Sequence, residues 1–156
     1  MTIPTPSQTI GPFFHFGLEW MGEAGTQLAK RQHSITIYGK IFDGTDQPIP
    51  DALVEMIHHS IEGVQFGRAI CDPTGKYCFN TAPPAQDDGA VIQLRIFARG
   101  LLQPLVTRLY LSDTMDEVLE SVDPNRRGTL VATPTASGFC FDIYLQGPKE
   151  TVFFAW

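Results

Sequence analysis

Strict alternation of apolar residues is the feature that most constrains this chain, and it is clearest in AVIQLRIFA at 90–98. One parity there is apolar throughout: Ala90, Ile92, Leu94, Ile96 and Ala98. Alternate side chains of a β-strand lie on one face of the sheet, so the pattern predicts a strand with one buried face. Further strands are predicted at 34–42, 52–57, 66–70, 76–80, 105–111, 129–132 and 139–146.

About eight short strands separated by turn-forming residues predict an all-β fold, an antiparallel β-sandwich with little helix. The segments 66–70 and 76–80 flank the turn DPTG and are predicted to pair as a hairpin. TMDEVLE at 114–120 is predicted to form a short helix. Since no repeat or linker divides the chain, we expect a single domain over 1–156, with an N-terminal arm at about 1–18.

Charge and length exclude several classes of protein. The chain has 156 residues and a net charge of −6, and the basic pair Arg126-Arg127 is too short for a phosphate-binding stripe. Nucleic-acid binding needs clustered cations, so none is expected. The N-terminus does not look like a secretory signal and no apolar run is long enough to span a membrane, which predicts a cytoplasmic protein without membrane contact. Cys71 and Cys78 flank the DPTG turn and could face each other across the predicted hairpin. Free, partly buried thiols are favoured over a disulfide in a reducing cytosol.

Motifs that carry chemistry are absent from the sequence. His58 and His59 are adjacent at the end of a predicted strand, so they point to opposite faces and are not expected to bind one metal. A surface pair or a capped strand end is expected instead. There is no HxH, HExxH, GxSxG, GxGxxG or P-loop, and Asp87-Asp88 is best explained as a solvated loop. From the residues alone, the chain is an acidic β-sandwich without a visible catalytic set.

Three features do not fit that plain description. The segment TPSQTIGPFF at 5–14 is too irregular for a strand and too apolar for a free tail. Arg99 stands between a predicted strand end and Gly100, and the chain ends on the aromatic segment TVFFAW. Aromatic clusters at chain termini suggest a partner surface.

These features also carry a resemblance to a known family. TPSQTIGPFFHFGL at 5–18 resembles the N-terminal signature of intradiol ring-cleavage dioxygenases, TPSQTxGP followed by an aromatic residue. Further similar blocks follow in order: FGRAICDPTGKYCFNT, IFARGLL with TRLYL, PNRRGTLVA and KETVFFAW. Together they are distributed in order from residue 5 to residue 156, and on them the chain is identified as a member of this family.

The resemblance implies that this chain lacks the iron of the family. Iron-bearing β-type chains hold Fe(III) with two tyrosines and an HxH pair of histidines on one strand. Aligned on IFARG, the histidine positions are Val91 and Gln93, which occupy the lost ligand sites. The loop APPAQDDG at 82–89 has no tyrosine, and Tyr77 matches a structural aromatic residue of the family. No catalytic residue and no metal are therefore expected in this chain.

Retained blocks without ligands resemble the α-type chains of the family, which pair with an iron-bearing β-type chain. By resemblance, Thr9, Phe13 and Arg99 line the partner's substrate pocket. The position of Phe13 is often tyrosine in the family, which leaves packing and water exclusion as its role. Arg99 either attracts an anionic aromatic acid or forms a structural salt bridge, and the sequence leaves both open. The connections at 16–34 and 57–66 look shorter than in typical α-type chains.

The resemblance thus implies a subunit of a hetero-oligomeric oxidoreductase of aromatic catabolism. The assembly would cleave protocatechuate with O2 to 3-carboxy-cis,cis-muconate, with the ferric ion held by the partner, and the isolated chain would be inactive. The alternative is an orphan β-sandwich that serves as a binding or scaffolding module without dioxygenase activity.

Overall fold

The computed structural model describes residues 6, 8–18, 26–29, 34–85, 91–112 and 115–155. Thr5 and Ser7 of the arm, His33, and 86–90 of the APPAQDDG loop and the following strand lie outside these residues. The described strands are β1 Ile35–Phe42, β2 Leu53–Ser60, β3 Gly63–Ile70, β4 Lys76–Thr81, β5 Val91–Phe97, β6 Leu105–Tyr110, β7 Thr133–Thr135, β8 Gly138–Cys140 and β9 Ile143–Tyr144. The helices are α1 Phe14–Leu18, α2 Glu117–Ser121 and a 3₁₀ turn at Arg127–Leu130.

Two sheets pack face to face and confirm the predicted all-β sandwich. Sheet I has the order β4-β1-β8-β7, with β9 also paired to β1, and sheet II has the order β3-β2-β5-β6. Sheet II is antiparallel throughout, whereas β1 pairs in parallel with β8 and β9. The predicted antiparallel arrangement therefore holds for most of the fold, with these two short parallel pairings as the departure.

The alternating apolar parity fills the space between the sheets. Ile92, Leu94 and Ile96 of β5 are 0% exposed, as the alternation predicts. They pack in one cluster with Val54 and Met56 of sheet II and with residues of sheet I: Ile37, Ile41, Tyr77 and Phe79. The opposite parity of β5 is only half-buried, so Val91 and Gln93 lie on the outer face of sheet II.

The predicted hairpin of 66–70 with 76–80 is wrong. Strand β3 pairs with β2 in sheet II, while β4 pairs with β1 in sheet I, so the DPTG turn carries the chain between the sheets. The turn itself is tight, with the Gly75 amide donating to the carbonyl of Asp72 at 2.8 Å. A tight turn fixes the local reversal of the chain but not the sheet to which each arm belongs. The hairpin of this region is instead β2–β3, closed by Ile61 and Glu62.

Other predicted elements differ near the C-terminus. The segment 129–132 is mostly the end of the 3₁₀ turn rather than a strand, and the strand is β7 just after it. The segment 139–146 splits into β8 and β9, with a break at 141–142. The short helix predicted at 114–120 is present as α2, capped by Asp116, whose carboxylate accepts from the Leu119 amide at 2.7 Å.

The thiols do not form the facing pair considered from the sequence. Cys71 is packed in the core at 4% exposure, while Cys78 lies on the other, outer parity of β4. Cys71, Cys78 and Cys140 are free thiols. Burial raises the pKa of the Cys71 thiol to about 12, which makes it a poor nucleophile. No helix among the described residues has the length and apolar character to cross a bilayer.

Candidate functional site

The outer face of sheet II carries the positions where the family's ligand pair is expected. Gln93 of β5 lies opposite Ile57 of β2 and opposite Arg108 of β6, and Ile57 lies opposite Phe66 of β3. These four side chains form one row across the sheet, here called the cross-sheet row. Along this row the side chains are apolar on β3 and β2, an amide on β5 and a guanidinium on β6.

A cleft of about 510 Å³ opens on this row. It is lined by Ile57, His58, His59, Val91, Gln93 and Arg108. A volume of this size accommodates a small ligand. The sequence prediction singled out Val91 and Gln93, and the structure places both in the wall of one cleft.

The donor atoms of the cleft do not fit a ferric ion. Val91 has no donor atom, and the neutral amide of Gln93 is a weak ligand for a hard trivalent ion. The hydroxyl of Tyr110, which lies opposite Val91, donates to the Asp116 carboxylate at 3.0 Å. Among the described residues, no group of three or more His, Cys, Asp or Glu side chains could hold a metal. No step of a reaction is therefore assigned to iron held by this chain.

His58 and His59 point to opposite faces of β2, as predicted from their adjacency. His59 is exposed, but His58 is 3% exposed, so the expectation of a surface pair or a strand end is wrong for His58. Its Nε2 lies 2.8 Å from Oγ1 of Thr81, and its Nδ1 lies 3.2 Å from the carbonyl oxygen of His59. Burial lowers the pKa of the His58 imidazole, so the neutral ring is a structural part of the core.

Tyr77 is a core residue, in agreement with the structural role that the resemblance implies. Its side chain is 1% exposed, and its hydroxyl donates to the carbonyl of Phe141 at 2.6 Å. Burial raises the pKa of this hydroxyl well above its ordinary value. A tyrosine that binds iron does so as the phenolate, and this environment opposes the phenolate.

The arm and Arg99 meet at the opposite end of the same sheet face. The amide of Ile10 donates to the carbonyl of Leu101 at 2.6 Å, and the amide of Gly100 donates to the carbonyl of Ile10 at 3.2 Å. Phe14 then stacks on Phe97, the last residue of β5, with ring centroids 6.5 Å apart. These contacts place Thr9, next to Ile10, beside the backbone that carries Arg99.

Two of the predicted pocket-lining residues are exposed on this arm. Thr9 is exposed, and Phe13 is 74% exposed. Phe16 on the next turn is also exposed, and its ring centroid lies 6.0 Å from that of Phe13. The arm therefore uses Phe14 to hold its own sheet while presenting Phe13 and Phe16 outward. An exposed aromatic pair is typical of a surface that binds another molecule.

Arg99 forms the salt bridge that the sequence left as one of two options. Its Nη2 lies 3.1 Å from Oδ2 of Asp51, and its side chain remains 54% exposed. The main chain turns directly after it, where Gly100 has φ +90°, a conformation that favours glycine. About half of the Arg99 side chain thus remains open to solvent, so the ion pair leaves the second option available.

Arg108 is the site residue that the sequence analysis missed. It contacts Asp116 through Nη1 at 3.3 Å and lies 6.0 Å from the ring centroid of Phe154. The sequence offered one signal, since Arg108 interrupts the apolar strand 105–111. Its neighbour in space, Gln93, is fifteen residues away, and the register that joins them is not legible from a single sequence.

Comparisons with known proteins show which proteins this chain is similar to. No family model matches the chain. The alpha chain of protocatechuate 3,4-dioxygenase from Burkholderia cepacia is 31% identical over 192 positions, covering 96% of each chain. The corresponding alpha chain from Pseudomonas putida is 31% identical over 191 positions, covering 96% of this chain and 95% of that one.

Solved structures agree with the fold. The dioxygenase domain of a dioxygenase–carbohydrate-binding fusion protein from Streptomyces sp. SirexAA-E superposes with a TM-score of 0.62 at 20% identity, over 93% of this chain and 99% of that one. Catechol 1,2-dioxygenase from Acinetobacter sp. ADP1 gives a TM-score of 0.56 at 17% identity, over 81% of this chain and 62% of that one.

The fold is therefore the sandwich of the intradiol dioxygenases. Because its identity to the two curated relatives extends over nearly the whole of both sequences, the chain belongs to the family of protocatechuate 3,4-dioxygenase alpha chains. This confirms the resemblance found in the sequence. The first alignment spans 192 positions and the chain has 156 residues, so at least 36 positions, the difference, have no counterpart here. Segment 57–66, expected to be a shortened connection, is mostly strand, since 57–60 belong to β2 and 63–66 to β3.

Proposed function

We propose that this chain is the non-iron-binding alpha subunit of a protocatechuate 3,4-dioxygenase. It acts in a hetero-oligomer with an iron-bearing β-type chain, and the assembly cleaves protocatechuate with O2 to 3-carboxy-cis,cis-muconate. The observation that carries the proposal is the contrast between two ends of one sheet face. Among the described residues, the end with Val91 and Gln93 has no donor set for iron, while the other end presents the arm and the half-exposed Arg99.

The proposed contribution of the arm is to close the partner's pocket. Thr9 and Phe13 are exposed, while the backbone of Ile10 and the ring of Phe14 hold the arm on sheet II. An arm fixed in this way loses little conformational entropy on assembly. Phe13 carries no hydroxyl, so it supplies apolar packing and excludes water beside the substrate ring. Thr9 supplies a short hydroxyl that can donate or accept.

The proposed contribution of Arg99 is electrostatic. The backbone of Arg99 is positioned by the turn at Gly100, and its guanidinium is held by the salt bridge to Asp51. The solvent-exposed part of the side chain can contact a second carboxylate. A planar guanidinium suits the carboxylate of protocatechuate. The partner supplies the ferric ion, to which the substrate hydroxyls would bind. In this scheme Arg99 orients the far end of the ring.

Domain organisation and cellular location complete the proposal. We propose that residues 1–156 form one domain with an arm at about 1–18, since strands from both halves of the chain share both sheets. We also propose a cytoplasmic location, in keeping with the free thiols of Cys71, Cys78 and Cys140.

Co-expression with a β-type chain that contains HxH and the two ligand tyrosines tests the proposal. We expect a stable complex that contains stoichiometric iron, absorbs visible light through tyrosinate-to-iron charge transfer, and consumes O2 with protocatechuate. The chain purified alone should contain no stoichiometric iron and show no turnover. Stoichiometric iron in the chain alone would refute the assignment of the metal to the partner. A stable colourless homo-oligomer that ignores the β-type chain would favour a scaffolding role.

A further inference from the structure

The cleft on the cross-sheet row retains the character of a ligand site although its side chains do not suit iron. Among the described residues that line it, the apolar side chains of Ile57 and Val91 lie on neighbouring strands, and the cationic side chain of Arg108 lies on the strand beyond. Gln93 stands between the apolar and the cationic ends, opposite both Ile57 and Arg108. Strands in a sheet are about 4.8 Å apart, so Ile57 and Arg108 are separated by roughly 10 Å across the sheet.

The polar groups of the cleft show which end of a ligand each would take. Arg108 is 35% exposed; it contacts Asp116 through Nη1 at 3.3 Å and lies over the Phe154 ring, and its exposed N–H groups can donate to a second anion. Gln93 is half-buried and can donate through its amide. His58 offers nothing to a ligand, because both of its ring nitrogens have partners.

We propose that this cleft is a second small-molecule site, which binds a monocarboxylate with an aromatic or compact apolar body. The apolar body lies against Ile57 and Val91, and the carboxylate accepts hydrogen bonds from Gln93 and Arg108. The site belongs to this chain alone and is distinct from any pocket that Thr9, Phe13 and Arg99 complete on a partner. It involves binding only, and no bond is made or broken.

The test uses the purified full-length chain without a partner, so its outcome does not depend on the proposed function. Benzoate is the probe, and benzamide is the neutral molecule of the same shape. Binding is followed by ¹H–¹⁵N NMR, which reports the Gln93 side-chain amide and the β5 and β6 amides separately. We expect saturable chemical-shift changes on addition of benzoate, centred on Gln93 and Arg108. Benzamide should bind at least about tenfold more weakly, because a charge-assisted contact is lost.

A matched pair of variants separates the cleft from the overall charge. Gln93→Glu keeps the shape of the side chain and places a carboxylate beside Arg108, so benzoate affinity should fall about tenfold or more. Gln103→Glu makes the same change of charge at an exposed position in the β5–β6 connection, and affinity should stay within about twofold. Circular dichroism confirms that both variants are folded.

Three results would overturn the inference. One is the absence of saturable benzoate binding to the wild-type chain. Another is an equal loss of affinity in Gln93→Glu and Gln103→Glu, which would assign binding to overall charge. The third is a set of shifts confined to 97–101, which would move the anion site to Arg99. The comparison of benzoate with benzamide needs no variant, so it decides the matter even if Gln93→Glu does not fold.

Discussion

The hydroxyl of Tyr77 donates a 2.6 Å hydrogen bond to the carbonyl oxygen of Phe141, deep inside the sandwich. The two residues come from β4 and from the break between β8 and β9, and both segments flank β1. The amide of Phe141 in turn donates to the carbonyl of Tyr38 at 2.8 Å. One side-chain hydroxyl thus fixes the C-terminal segment against a strand sixty-four residues earlier.

Removing that hydroxyl should destabilise the chain. Tyr77→Phe leaves the Phe141 carbonyl without its buried partner, and we expect the free energy of unfolding to fall by about 1–2 kcal/mol. Tyr38→Phe is the control, because its hydroxyl bonds to Thr135 on the exposed side of sheet I, and we expect a change of less than about 0.5 kcal/mol. Urea unfolding of the two variants measures the difference. An equal decrease in the free energy of unfolding of the two variants would show that the buried hydrogen bond stabilises the fold no more than the exposed one.

Gly39 is required for the close approach of the Phe141 segment to β1. A Cβ at Gly39 would overlap the Phe141 carbonyl oxygen and lie 3.1 Å from the Tyr77 hydroxyl. Because the obstacle is backbone, Gly39→Ala should lower the free energy of unfolding by about 2 kcal/mol or more. Gly128→Ala is the control, since nothing lies within 4 Å of a Cβ there. Thermal unfolding of the soluble fractions compares the two, and a Gly39→Ala chain as stable as wild type would contradict the packing.

Acid should destabilise the chain through His58. Burial holds the pKa of its imidazole below the ordinary value of 6.5, so the unfolded chain takes up the proton first as the pH falls. The destabilisation of the folded chain by His58 is absent above pH 6.5 and grows as the pH falls from 6.5 to the pKa of the folded state. The free energy of unfolding should therefore decrease over that interval. His58→Gln should flatten this part of the pH profile, whereas His59→Gln should change it much less, because burial is the main cause of the lowered His58 pKa and the charge of His59 a smaller one.

If the His58 and His59 variants show the same profile, the acid sensitivity comes from another group. Denaturant titrations at pH 7.5, 6.5 and 5.5 suffice to separate the cases. The neutral ring donates from Nδ1 to the His59 carbonyl and accepts at Nε2 from the Thr81 hydroxyl. Protonation requires the Thr81 hydroxyl to turn, which adds to the cost of burying the charge.

The role of Arg99 is tested in the complex with a β-type chain. If Arg99 binds the substrate carboxylate, Arg99→Ala should raise KM for protocatechuate about tenfold or more and leave KM for catechol nearly unchanged, since catechol has no carboxylate. Asp51→Asn breaks the same salt bridge and keeps a residue type that tolerates φ +57° at this position. It frees Arg99, so KM for protocatechuate should stay the same or fall.

A purely structural Arg99 predicts a different pattern. In that case Arg99→Ala and Asp51→Asn lose the same interaction and affect both substrates alike, mainly through lower stability or poorer assembly. Gel filtration of each complex shows whether assembly is intact before the kinetics are compared.

The sequence by itself determined the character of each strand. The alternation at 90–98 assigned Ile92, Leu94 and Ile96 to the core and Val91 and Gln93 to the other face, because a strand alternates its faces with every residue. The short helix at 117–121 could be predicted from its own segment, because its cap and its apolar residues lie within that segment. The assignment of Val91 and Gln93 to the lost ligand positions came from the family resemblance and stays a prediction.

Tertiary structure decided everything that depends on which strands are neighbours. The turn DPTG looks the same whether its arms pair with each other or enter different sheets, and only the completed sandwich sends β3 to β2 and β4 to β1. Burial of His58 depends on Thr81, which the fold brings to it. Arg108 joins Gln93 through the register of β5 and β6. Such contacts join residues far apart in sequence, and their energies arise only once both sheets are assembled.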